Sequence, residues 1–184
     1  LQIDFVDWYP RVAVYDGKGW HAEPFHFLMR SQSVFSEFAD LDVTLTVPGS
    51  FVLVASGTVS EGDPGWNMIA GDSATSAPVR SPNPDTAGTL LHKLKPRRVR
   101  FRAQRAQNFI WSTSPAFARK TVSVLDKEVN ILYQDAQQKQ WATNIVREVE
   151  RVLSYLQSYI GEYPYAQLNI VAAAGRQTAQ PSML

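Results

Sequence analysis

The chain contains no cysteine, which excludes disulfides and thiolate zinc sites without identifying a compartment. Histidine is almost as scarce. The three present are His21, His26 and His92, and no HExxH or similar ligand pair exists among them. No apolar run approaches the roughly 18 residues of a membrane span, so the chain reads as not an integral membrane protein. An excess of one charge is missing too. Eighteen basic residues against 17 acidic ones leave a net charge of +1, so global charge gives no reason to expect a nucleic-acid partner. No Ser-His-Asp order, glycine-rich phosphate loop or dinucleotide fingerprint occurs. What is there is 184 residues, 45% of them hydrophobic, enough for one large domain or for one domain and the start of a second. The chain opens at Leu1 inside what reads as folded sequence, which gives it the look of an excised fragment.

The first 132 residues read mostly as β. Val43, Leu45 and Val47 alternate with Thr44 and Thr46, the pattern of a half-buried strand. Pro48-Gly49 ends it and Phe51–Ala55 resumes, which predicts a hairpin with a short loop. Val99, Phe101 and Ala103 alternate with arginines, Phe109–Trp111 is an apolar run closed by Ser114-Pro115, and 121–125 and 129–132 are two further strands. Short strands separated by turn signals predict a β-sandwich or related sheet stack. Residues 56–96 break the rhythm with Gly, Ser, Pro and Asp and predict a long flexible loop, cut first by a protease near Arg80. Trp66, Met68 and Ile69 are apolar islands that would pin it to the sheet.

From 135 to 160 the period becomes helical. Trp141, Ile145, Val149, Val152, Leu156 and Tyr159 form one stripe, Gly161 and Pro164 follow as stop signals, and 168–172 is a last strand. The stripe is expected to pack on protein. The change of period near Tyr133 is the expected domain boundary, separating 1–132 from 133–184.

Few residues suggest chemistry. His21 and His26 lie five apart around Pro24, and as metal ligands they would need Glu23 or Asp16 as well. Locally hydrogen-bonded histidines of a loop or sheet edge are the plainer reading. Lys93 to Arg105 carries seven basic residues in thirteen, either a polyanion groove or the solvent face of a strand. Alternation puts Phe101 on the face opposite the arginines, which favours the strand face. Gly17 and Gly19 after Asp16 read as a hairpin turn. Glu37, Asp40 and Asp42 come nearest to a carboxylate cluster for acid–base work, and alternation makes them a solvated face instead.

Four phrases are more specific. They are Trp8-Tyr9-Pro10-Arg11-Val12-Ala13-Val14-Tyr15-Asp16 with Gly19-Trp20, and Ser36–Pro48. The others are Arg100-Phe101-Arg102-Ala103 with Asn108–Trp111 and Ser114-Pro115, and Ile160–Leu168 containing Tyr163-Pro164-Tyr165. In this order they resemble the aminopeptidase N family of zinc metallopeptidases (gluzincins), its bacterial members in particular. The resemblance implies that 1–132 is the later part of a saddle-shaped β domain. It implies that 133–184 opens a thermolysin-like catalytic domain, against which part of the Trp141 stripe would lie. In the family the Tyr-Pro-Tyr phrase leads to a Gly-x-Met-Glu loop whose glutamate binds the substrate's free amino group. Aligning Pro181–Leu184 with the proline after that loop places Ala179 at the glutamate position, where no charge-assisted bond to an ammonium can form. The zinc motif comes later than this chain reaches. The expectation is therefore a non-catalytic scaffold that walls the substrate cleft, with no cofactor of its own and zinc only in an active parent. Its partners would be the missing catalytic domain and, for the parent, a peptide substrate. The alternative is an autonomous β-sandwich binding or interaction module of a relative that has lost peptidase activity.

Overall fold

The structure, a computed structural model, describes residues 1–21, 36–69, 95–134 and 136–172. It is mainly β with one long helix, as the change of period implies. Among the described residues the strands are β1 (Ile3–Phe5), β2 (Tyr15–Asp16), β3 (Gly19–Trp20), β4 (Ala39–Val47), β5 (Val52–Ala55) and β6 (Thr58–Glu61). They continue with β7 (Arg97–Ala106), β8 (Trp111–Ser114), β9 (Ala118–Val124), β10 (Lys127–Tyr133) and β11 (Gln167–Val171), and the helix α1 spans Ala136–Tyr159. No described helix is long and apolar enough to cross a membrane.

The elements stack in layers. An outer sheet has the order β4-β7-β6, a middle sheet β1-β8-β5, and an inner sheet β11-β10-β9. Leu45, Val47, Val99, Phe101 and Ala103 of the outer sheet meet Leu53 and Ala55 of the middle one, with Phe109 wedged among them. Val52 and Val54, on the opposite face of β5, pack on Leu132 and Val171 of the inner sheet. The far face of the inner sheet, Val129, Ile131, Leu168 and Ile170, is covered by Ala142, Val149 and Leu153 of α1. A strand buried on both faces reads as a continuous apolar run, and β5 is one.

This stacking corrects the expected hairpin. β4 pairs with β7 and β5 pairs with β8, so the chain crosses between sheets at Pro48–Phe51. The turn closes with a Phe51 N–H to Pro48 carbonyl bond of 2.9 Å. Apolar residues flanking a Pro-Gly turn are equally satisfied by covering one core from two sides, which is what happens here.

The expected loop at 56–96 begins as ordered structure. β6 pairs with β7, and a 3₁₀ turn follows at Trp66–Met68. Gly57 and Gly62 flank β6 with φ of +79° and +85°, and a Cβ on either would lie 2.2 or 2.3 Å from a β7 carbonyl oxygen. Glycine is required at both by backbone conformation and by close approach. The Trp66 indole N–H donates to the Leu53 carbonyl at 2.8 Å and Ile69 packs beside it, so these two pin the segment as expected, while Met68 is exposed. Residues 70–94, with the cleavage site at Arg80, lie outside the described residues.

The Trp141 stripe is divided. Trp141, Ile145 and Val149 pack on the inner sheet, but Val152, Leu156 and Tyr159 are 45%, 39% and 75% exposed. At about 100° per residue, Val152 and Tyr159 lie roughly 80–100° round the helix from the line through Ala142, Val149 and Leu153. The helix also outruns its support, at about 36 Å against about 23 Å for β10. The change of period at Tyr133 does not coincide with a break in pairing. β10 before it and β11 after it are hydrogen-bonded neighbours in one sheet, from Glu128↔Gln167 to Leu132↔Val171.

Candidate functional site: the ends of the parallel strand pair

β10, α1 and β11 form a parallel βαβ unit, the one parallel pairing among the described residues and so the one there that needs a crossover connection. The carboxyl ends of its two strands lie together, tied by an Ala172 N–H to Leu132 carbonyl bond of 2.9 Å. In a parallel unit this is the end where ligands are usually met. A polar group from the other layers reaches it. The Gln2 amide donates to the Ala172 carbonyl at 3.2 Å and to Asp4 Oδ1 at 2.8 Å, and it accepts from the Gln134 amide. Asp4 in turn accepts from the Ser112 hydroxyl. Ala179 lies outside the described residues.

Behind the strand ends, the inner sheet carries a buried polar seam toward the middle sheet. Asn130 and Asn169 are register partners and almost fully buried. The Asn169 amide donates to the Ala55 carbonyl at 2.9 Å, and its Oδ1 accepts from Gln167 at 2.7 Å and from Asn130 at 3.3 Å. Asn130 also donates to Glu128 and accepts from Thr121, each at 2.8 Å. Arg119 reaches Asn130 Oδ1 at 3.4 Å from over the Trp66 ring, and burial lowers its pKa. Each buried amide has partners, so the seam fixes the pairing of the two sheets instead of penalising it. The sequence signal was visible. Val-Asn-Ile-Leu at 129–132 and Leu-Asn-Ile-Val at 168–171 place one polar residue alike in two apolar strands. Only the parallel register joins them.

The four specific phrases meet around one segment. The Trp8 indole donates to the Phe109 carbonyl at 2.9 Å, and Asp7 accepts from Asn108 at 2.9 Å. Asp42 accepts two 2.6 Å bonds from Arg100, with Arg102 at 3.3 Å. The Tyr165 hydroxyl donates to the Arg105 carbonyl at 2.9 Å. Arg105 sits in the left-handed region, φ 48°, where β7 bulges opposite Asp40, and Asp40 accepts its N–H at 2.9 Å. Sequence reasoning missed this latch, because neither Tyr165 nor Asp40 carries a local sign of a partner sixty residues away.

At the opposite end of the βαβ unit, a cavity of about 230 Å³ is lined by Leu125, Asp126, Lys127, Leu153, Gln157, Glu162 and Tyr163. Lys127 and Glu162 close at 2.7 Å there, and this bond holds the Glu162 carboxyl below its ordinary pKa.

The other sequence candidates do not assemble into a site. His21 Nε2 lies 2.8 Å from Asp16 Oδ2. The Asp16 pKa is lowered, first by the Lys18 N–H and then by His21. Gly17 and Lys18 form the expected hairpin turn between β2 and β3. His26, Glu23 and His92 lie outside the described residues. Among the described residues no three His, Cys, Asp or Glu side chains could hold a metal ion, so they do not fit the zinc of the resembling family. The basic run is a strand face whose charge is countered. Arg100 is held by Asp42 and, at 2.9 Å, by Glu61, and this lowers the Asp42 pKa and raises that of Arg100. Phe101 points the other way, into the core. Lys93 lies outside the described residues. Asp40 and Asp42 are thus engaged separately, on the solvent side, and form no acid–base pair with Glu37. No family model matches the chain, and no curated protein matches it.

Proposed function

We propose that this chain is the non-catalytic N-terminal portion of a zinc aminopeptidase-like protein, scaffolding a catalytic domain and walling its substrate cleft. The observation that supports this reading is the convergence of the four phrases on 100–111. Trp8 on Phe109, Asp42 on Arg100 and Tyr165 on Arg105 join what the resemblance treats as saddle and catalytic opening into one packed body. Such a body holds the carboxyl end of β11 in place, and a substrate-binding loop emerging there would be positioned by rigid elements. Zinc would belong to the parent and would be held by residues beyond those described here. The chain itself would contribute shape, the wall of the cleft, and no reacting group. A binding module of a relative without peptidase activity is the second reading, favoured by the exposed apolar flank Val152, Tyr155, Leu156 and Tyr159 of α1, which fits an interaction surface equally well.

The reading frame beyond Leu184 tests the proposal. An HExxH with a downstream glutamate is expected, and a continuation without them would favour the interaction module. For the 184-residue chain alone, a zinc titration is expected to show no stoichiometric binding at submicromolar affinity. A peptidase assay is expected to show no chelator-sensitive turnover, because catalytic zinc needs three protein ligands and an open position.

A further inference from the structure

The hairpin turn between β9 and β10 is built from residues that its backbone disfavours. Val124 pairs with Lys127, so Leu125 and Asp126 form a two-residue loop, and both sit in the left-handed region with φ of 48° and 61°. Such a turn favours Asn-Gly, because a bulky side chain crowds the backbone there. Aspartate tolerates the position through its short polar side chain, but leucine has no local hydrogen bond to offset the strain. Burial does not account for the leucine either, since Leu125 is 43% exposed. Its side chain lines the cavity of about 230 Å³ at this end of the βαβ unit.

The cavity lies between this turn, the last turns of α1 and the segment 162–163. Its apolar lining is the exposed Leu125 and the buried Leu153, and its charged lining is Asp126, Lys127 and Glu162. The three charges are not equivalent. The Lys127 side chain is 15% exposed and its ammonium is bonded to Glu162 at 2.7 Å, whereas the Glu162 side chain is 70% exposed and Asp126 is exposed as well. A carboxylate has about four lone-pair sites, so Glu162 keeps acceptor capacity after that bond. Two carboxylates against one ammonium leave the lining negative, with the negative groups on the solvent side. The volume is below the roughly 300–1,000 Å³ of sites for drug-sized ligands, so a group the size of a side chain fits it.

We propose that this cavity binds an organic cation with a short apolar stem, an alkylguanidinium or alkylammonium group. The stem lies along Leu125 and Leu153, and the head group donates to Glu162 and Asp126 at the mouth. The left-handed leucine is then kept for its ligand contact, at a position where the turn alone would favour glycine.

The probe is n-butylguanidine, titrated into the isotope-labelled 184-residue chain and followed by amide chemical shifts. Binding in the low-millimolar range or tighter is expected, with shift changes centred on 125–127 and 153–163. N-acetylarginine amide carries a similar stem and head on a capped backbone. Binding of that compound identifies a basic side chain of a peptide or protein as the ligand, and binding of n-butylguanidine alone identifies a small free cation. Valerate has the same stem with the opposite charge and should bind at least about tenfold more weakly, as expected for the loss of a charge-assisted hydrogen bond. Leu125→Gly separates the ligand from the fold. Glycine suits the left-handed turn, so the thermal midpoint should hold or rise. Affinity for n-butylguanidine should nevertheless fall at least about threefold, since even one methylene of apolar contact is worth that much. The proposal is overturned if neither cation perturbs these residues, if valerate binds as tightly, or if Leu125→Gly binds n-butylguanidine as well as the parent chain does.

Discussion

The two halves of α1 carry the same sequence pattern and meet different fates. Ala142, Val149 and Leu153 are pressed onto Val129, Ile131, Leu168 and Ile170, and Leu153 keeps only 7% of its surface. Toward the end of the helix Val152, Tyr155, Leu156 and Tyr159, with Ile160 just beyond it, face water. The difference teaches that a 3.6-residue period marks where a helix is able to bury surface, while the length of the opposing sheet determines how much it does. A second lesson lies under the covered half. The face of the inner sheet turned away from the helix sets Asn130 and Asn169 beside the apolar Leu132 and Val171, so that side is specified by amide hydrogen bonds as well as by packing.

The largest expected break in this comparison is Leu153→Ala. It removes a buried side chain from the centre of the helix–sheet contact and should cost about 2–5 kcal/mol in a denaturant titration. A cost as small as that of a surface change would mean that the covered half is no better packed than the exposed one. Asn169→Ala comes next. It leaves the Ala55 carbonyl without this buried donor and takes an acceptor from the Gln167 and Asn130 amides, at about 1–3 kcal/mol. Asn169→Asp should not rescue it, because the carboxylate cannot donate to Ala55.

Leu156→Ala sharpens the comparison from the other side. The residue is 39% exposed, so less than about 1 kcal/mol is expected by the same equilibrium measurement, well short of a core truncation. A core-sized loss would show that the second half of the helix is covered in solution. The smallest effect belongs to the Lys127–Glu162 pair at the foot of the helix. Glu162 is exposed, and its bond from Lys127 makes its carboxyl titrate below its ordinary 4.5. A depressed folded-state pKa means that this contribution is fully present above about pH 4.5 and is lost as pH falls through the lower folded value. Glu162→Gln should therefore lower stability slightly above about pH 4.5, leave it unchanged at the acid end, and so flatten the acid limb of the profile.

Much of the fold was legible in the residues. Alternation in 43–47 and 99–103 and the helical period from 141 onward located β4, β7 and α1 because local burial is written in local periodicity. The continuous run 51–55 was recognisable as a strand, but its partner was not. A hairpin and a crossing between two sheets ask the same of residues 48–51, and only the distant β8 distinguishes them. The glycine-rich stretch after 56 read as a loop because β6 is short and polar, and its order comes from lying along β7. Of the chemistry, the solvated carboxylates and the outward arginines were readable from alternation. The Arg100–Asp42–Glu61 arrangement, the Asn130–Asn169 pairing and the Tyr165–Arg105 latch were not, since each joins residues 39 to 60 positions apart.

By itself, then, the sequence determined most of the elements and their order, and the absence of thiols. Tertiary structure decided which strands share a sheet, which half of α1 is covered, and how the four phrases interlock. The physical reason is range. Propensity, period and capping act over one or two turns of chain, whereas strand pairing and inter-sheet hydrogen bonds are selected by the burial they make possible across the whole fold.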